Sequence, residues 1–141
     1  MSRTQIVTLA NAVTQAGAAS NISQTASVFR EVFREATILL NVTSASTLVG
    51  DTLDVFIDSS PDAGITWFNV GHFTQVLGNG GAVKHIMSLR ADNPGATAVV
   101  SVTADAVAGA TRQFGINDRL RPRHTTVGTG SFTYSVVAFL K

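Results

Sequence analysis

Catalysis needs nucleophiles, ligands or charges brought to one place, and this chain has few of each. Histidine occurs three times, as His72, His85 and His124, with no two close enough in sequence to form a local pair. A zinc site would need two or three of them to converge from distant segments, and no H-E-x-x-H spacing is present. Asp51, Asp54 and Asp58 lie near one another. On a strand Asp54 and Asp58 share a face but stand about 13 Å apart, too far for one cation or for the acid pair of a glycosidase. Asp62 falls in a turn, where a carboxylate ordinarily accepts backbone N–H bonds. No serine occupies a G-x-S-x-G elbow, and Gly78-Asn79-Gly80-Gly81 lacks the Lys-Ser/Thr ending of a phosphate loop. The chain has no cysteine, which excludes thiolate catalysis, disulfides and cysteine metal sites. Neither a cofactor nor an enzyme is expected.

The densest charge is a row of arginines. Arg119, Arg121 and Arg123 alternate, so an extended chain lines them along one face, with Arg112 and His124 as candidate neighbours. Guanidinium groups in a row suit carboxylate or phosphate. Asp118 adjoins the row and the net charge is only +1, whereas nucleic-acid binders usually carry a clear basic excess. Carboxylates of a partner protein or intersubunit ion pairs are therefore favoured, solvated arginines come next, and nucleic acid comes last. Phe56 and Phe139 each lie opposite the better-defined apolar face of a strand, which makes them candidate anchors in a subunit contact. Phe56, Arg112, Arg119, Arg121, Arg123 and Phe139 form the expected protein interface. Trp67 and Tyr134 stay open: exposed, either would stack on a sugar ring, and turned inward either would fill the core.

The elements that must position these residues read as strands. Thr4 to Ala10 reads as a short strand or extended arm. Asn11 to Ser27 is almost entirely Ala, Ser, Thr, Asn, Gln and Gly, too poor in apolar area to hold itself in a core, which predicts a loop or an arm ordered by a neighbour. Residues 1–27 are thus set apart from a β-sandwich domain spanning 28–141. Val28 to Arg34 fits either a helical turn or an irregular strand. Ile38, Leu40 and Val42 alternate with Thr37, Leu39 and Asn41, and the apolar Leu39 predicts cover on both sides. Leu53, Val55 and Ile57 oppose Asp54, Phe56 and Asp58. The turn Ser59 to Gly64 then leads into a strand from Ile65 to Val70, forming a hairpin. Further strands are predicted over Ala82 to Ala91, after the turn Asp92 to Gly95 over Ala96 to Ala104, loosely over Arg112 to Ile116, and over Leu120 to Val127. Pro122 favours an edge or a bulge for the last of these. Ser131 to Leu140 closes the chain, with Phe132, Tyr134, Val136 and Ala138 on one face. The sum is an all-β, two-sheet antiparallel sandwich of roughly eight strands, jelly-roll-like, because each half-buried sheet needs an apolar partner.

Composition points the same way. Charged residues make up 13% of the chain against about 25% in ordinary soluble domains, and mean hydropathy is +0.25. A surface so short of charge fits subunit interfaces better than solvated faces. No run approaches the ~20 apolar residues of a membrane helix, so no membrane partner is expected.

Two stretches carry a family likeness. Thr52-Leu53-Asp54-Val55-Phe56-Ile57-Asp58-Ser59-Ser60-Pro61-Asp62 with Thr66-Trp67, and Leu120-Arg121-Pro122-Arg123 through Gly128-Thr129-Gly130-Ser131-Phe132-Thr133-Tyr134-Ser135-Val136, resemble small virion proteins of tailed bacteriophages. That group includes capsid decoration, or cement, proteins. The resemblance implies a protein made in the bacterial host cytoplasm that sits on the outer capsid surface of the virion. It would bind the major capsid protein, associate as a dimer or trimer, and bridge neighbouring subunits. Asn11 to Ser27 would then be an arm reaching over a neighbour. Two other assignments fit the same residues: a carbohydrate-binding or host-attachment module using Trp67 or Tyr134, and a tail-tube or connector protein turning Arg121 and Arg123 towards DNA.

Overall fold

The computed structural model describes residues 4–29, 33–90, 101–112 and 117–141. Eleven strands are found there: β1 (Gln5–Ala16), β2 (Ala19–Ser23), β3 (Ser27–Val28), β4 (Glu35–Ser44), β5 (Thr52–Ser60), β6 (Phe68–His72), β7 (Val76–Leu77), β8 (Val83–Arg90), β9 (Ala110–Thr111), β10 (Arg119–Val127) and β11 (Ser131–Leu140). The expectation of about eight falls short because β3, β7 and β9 are two-residue pairings too brief to leave a period in the sequence and β2 lies in the stretch read as a loop or an arm. All pairings are antiparallel and make two sheets. Sheet A runs β1-β11-β4-β8. Sheet B runs β2-β10-β5-β6-β9, with β3 on β10 and β7 on β5.

Alternation builds the core. Ile38, Leu40 and Val42 of β4, Leu53, Val55 and Ile57 of β5, and Phe132, Tyr134, Val136, Ala138 and Leu140 of β11 are all at most 1% exposed. Each set occupies every second position of its strand, so one face of each sheet turns inward and the two faces close on each other. Met87 and Leu89 of β8 and Leu120 of β10 extend the same core. Phe29 and Phe33 are buried too, edge-to-face with centroids 5.8 Å apart.

The strand expected over Thr4 to Ala10 is present, but it runs on into Asn11 to Ser27, the stretch expected to be a loop or an arm. Residues 5–16 form the longest strand and pair with β11 from Gln5↔Leu140 to Ala16↔Ser131, with irregular register around Ala12, whose φ is +46°. The chain turns at Gly17 and crosses to sheet B, where β2 pairs with β10 at Arg123↔Ser23 and His124↔Ile22. Gly17 N–H donates to Gly130 O at 2.9 Å, and Thr126 Oγ1 donates to Gly17 O at 2.8 Å. Low apolar content misleads here because a ladder is held by backbone bonds. Only Leu9 and Ala10 of this stretch are buried.

Pro122 also departs from expectation, since β10 is flanked by β5 on one side and by β2 and β3 on the other. The reason is local. Pro122 O accepts from Gln24 N–H at 2.8 Å, which turns its nitrogen towards the gap between β2 and β3, where no ladder bond is called for. The hairpin strand expected at Ile65 begins at Phe68, because Asp62 Oδ1 accepts from Thr66 N–H at 2.6 Å and keeps 61–67 in the turn. The turn expected at Asp92 to Gly95, the first part of the strand expected at Ala96 to Ala104, and most of Arg112 to Ile116 lie outside the described residues. Residues 101–104 form a turn closed by Ala104 N–H to Ser101 O at 3.1 Å.

Candidate functional site

The outer faces of the two sheets differ in kind. Sheet B is polar outside. Its β10 strand directs Leu120, His124 and Thr126 inward, and therefore Arg119, Arg121 and Arg123 outward. Beside them on β5 stand Ser60, Asp58 and Phe56, in register with those arginines in turn. Arg123 is fully engaged. Its Nε and Nη2 donate to Asp58 at 2.9 and 3.1 Å, Nη2 also to Asp105 at 2.6 Å, and Nη1 to Asn21 at 2.6 Å. Its guanidinium lies 4.2 Å over the ring of Phe56. Burial opposes its charge, and the two carboxylates outweigh burial and strengthen proton binding.

Phe56 is covered on its other side as well. The His72 ring stacks on it with centroids 4.0 Å apart, leaving Phe56 7% exposed. The two nitrogens of His72 face acceptors, Asp54 Oδ1 at 2.8 Å and Ala106 O at 2.9 Å, so only the imidazolium makes both bonds together. Burial works against that charge, but the Asp54 and Ala106 bonds and the nearby Asp54 and Asp105 carboxylates outweigh it and raise the His72 pKa. Asp54 shows the converse: burial raises its pKa, and bonds from His72 and Gln75 bring it below the ordinary value. With both nitrogens occupied, His72 has no lone pair for general-base work.

These contacts fasten the segment 101–109 across sheet B. Ala106 N–H donates to Asn69 Oδ1 at 2.9 Å, and Gly109 N–H to His72 O at 2.9 Å. Asn69, 2% exposed, sends its amide to Ile57 O, Gly71 O and Asp58. Between this segment, β2 and β10 lies a cleft of about 260 Å³, lined by Asn21, Trp67, Thr103, Asp105 and Arg121 among others. Trp67 is half-buried, with its Nε1 donating to Gly64 O at 3.0 Å and Arg121 4.2 Å over its ring.

Sheet A carries an apolar patch outside. Paired residues of adjacent strands share a face, and two rows run across all four strands: Ile6, Phe139, Thr37 and Ser88, then Thr8, Val137, Leu39 and Ile86. Ile6 and Ile86 are 64% and 69% exposed, while Leu39, Val137 and Phe139 are half-buried by their neighbours alone. No charged side chain stands in either row. Lys84 lies beyond one border and the Glu35↔Arg90 pair beyond the other.

The six expected interface residues are therefore not one surface. Phe56, Arg119, Arg121 and Arg123 belong to sheet B, and Phe139 to sheet A. Arg112 follows β9, its N–H donating to Val70 O at 2.8 Å. His124, expected near the arginines, points the opposite way and is 1% exposed in the core. There Tyr134 Oη donates to its Nδ1 at 2.8 Å and its Nε2 donates to Gln15 Oε1 at 3.2 Å. Burial lowers the pKa of His124 and pushes that of Tyr134 well above its usual range. No cluster of three or more His, Asp or Glu able to hold a metal occurs among the described residues. Asn21, Asn69, His72 and Asp105 were missed from sequence because they reach the site from three separate segments, β2, β6 and 101–109, and only the alternation of the arginines left a signal. No protein-family model, curated protein or solved structure matches the chain.

Proposed function

We propose that this chain is a structural protein of a tailed-phage particle, a jelly-roll sandwich that binds the assembled capsid and bridges neighbouring subunits. The observation that carries this reading is the outer face of sheet A. Five large apolar side chains, Ile6, Leu39, Ile86, Val137 and Phe139, stand there in register with charge only at the borders. An apolar centre within a polar rim is the anatomy of a protein interface. The strand order supports the jelly-roll assignment. Successive long strands change sheet at the same rank, β1 over β2, β11 over β10, β4 over β5 and β8 over β6, a wrapping shared by viral capsid and lectin domains.

The partners are the major capsid protein and further copies of this chain. A protein that binds the lattice but not its separated subunits stabilises the lattice by mass action. Because β1 and β2 are committed to the chain's own sheets, bridging falls to the face of sheet A rather than to an N-terminal arm. Electron microscopy of the native particle tests this. Copies on the outer shell with sheet A against a neighbour are expected, and a ring of copies around the tail channel would overturn the reading.

One observation favours a second reading, a carbohydrate-binding module: Trp67 lines a polar cleft. Tyr134 lends it no support, being 0% exposed.

A further inference from the structure

We propose that the cleft on the outer face of sheet B is a binding site for a small hydroxylated carboxylate, a hexuronic acid in chemical class. The inference is independent of shell binding and sharpens the carbohydrate reading by naming the ligand's charge.

Arg121 is the starting point. Unlike Arg123, it has no hydrogen bond to any described residue. Its nearest carboxylate oxygen, Asp58 Oδ2, is 3.5 Å from Nε, and that oxygen already takes a 2.9 Å bond from Arg123. Arg121 Nε is buried with no acceptor, and Arg119 Nε, two residues away on the same face, is in the same condition. With Nε sealed from solvent, a ligand oxygen meets Arg121 through its terminal amino groups, which make no hydrogen bond to any described residue and are favoured to take an acceptor. Stacking on Trp67 fixes the plane of the Arg121 guanidinium and keeps its outer donors at the cleft.

Charge selects the ligand. Arg121 and Arg123 line the cleft together with Asp58 and Asp105, and Arg123 donates guanidinium hydrogen bonds to both carboxylates, which leaves Arg121 without a hydrogen-bonded counter-charge. A single carboxylate from outside supplies one. The guanidinium fork takes carboxylate or phosphate, and a singly charged carboxylate brings less negative charge towards Asp58 and Asp105, which line the same cleft. The rest of the cleft suits hydroxyls: the Thr103 hydroxyl, the Asn21 amide and the Asp105 carboxylate, whose side chain is 37% exposed, all line it.

Calorimetric titration of the full chain with glucuronate, glucose, acetate and phosphate tests the proposal. Saturable glucuronate binding, at least tenfold tighter than that of the other three and weakened at least tenfold by Arg121→Gln, is expected. NMR of the wild type gives a reading that does not depend on the variant folding: the Arg121 Nε–H resonance should shift on titration with glucuronate. No saturable glucuronate binding, or binding without movement of that resonance, overturns the proposal. Equal binding of acetate or phosphate also overturns it, reducing the site to a general anion contact. Equal binding of glucose overturns it while leaving the carbohydrate reading standing.

Discussion

His72 and Asp54 meet at 2.8 Å across the β5–β6 pair, and the second nitrogen of the same imidazole holds Ala106 O at 2.9 Å. One protonated ring therefore ties the segment 101–109 to sheet B. The pKa of His72 is raised by folding from 6.5, so its contribution to stability is complete below that value and is lost as pH rises through the raised folded value. Asp54 is lowered from 3.8, so its contribution holds above that value and is lost as pH falls through the depressed one.

His124 titrates with the opposite sign. Burial lowers its pKa from 6.5, so its stabilising share is present above that value and shrinks as pH falls below it. NMR titration of the imidazole resonances should find His72 titrating above 6.5 and His124 below it. Hydrogen-exchange protection of 101–109 should fall once His72 deprotonates. The reverse order of the two histidines would contradict the hydrogen-bond assignment.

Asp58 is the hub of the polar face. It accepts from Arg123 and Asn69, stands within ion-pair distance of Arg121, and has a side chain 4% exposed. Asp58→Asn removes the charge that compensates Arg123, a nearly buried guanidinium. Breaking a buried pair on one side costs about 3–5 kcal/mol. Urea unfolding should show a loss of that size, and a change within about 0.5 kcal/mol would mean that Asp105 alone suffices.

Removing residues 1–27 should cost the fold as well as any binding. The deletion strips β1 from β11 and β2 from β10, uncovers the core beside Leu9, and takes Gln15 from His124. Circular dichroism should report loss of a cooperative melt. Retained β content with a sharp transition would return this stretch to the status of a dispensable arm.

What was legible in the sequence follows from what makes strands visible. Strands β4 and β11 bury every second side chain, and β5 and β8 place apolar residues at every second position (Leu53, Val55 and Ile57; Val83, Met87 and Leu89 about His85), so their inner faces appear as a period of two. Strand β1 pairs along most of its length while burying only Leu9 and Ala10, and backbone bonds leave no compositional mark. The row of arginines was visible for the same reason as the core. Their counter-charges were not, because Asp58 and Asp105 come from separate segments and only register brings them together. Phe56 and Phe139 look alike in sequence. His72 and Arg123 enclose the first, and nothing within the described chain covers the second beyond its strand neighbours.

That contrast carries the functional account. Among the described residues no further strand pairs over the outer face of sheet A, where exposed Ile6 and Ile86 flank half-buried Leu39, Val137 and Phe139, and contiguous apolar area of this kind marks an association surface. Sedimentation velocity over a concentration series tests it most directly, comparing the wild type with Leu39→Asp/Val137→Asp, which puts charge into the centre of the face. The wild type should sediment as a dimer or trimer and the variant as a folded monomer. A wild type that stays monomeric throughout would contradict the claim.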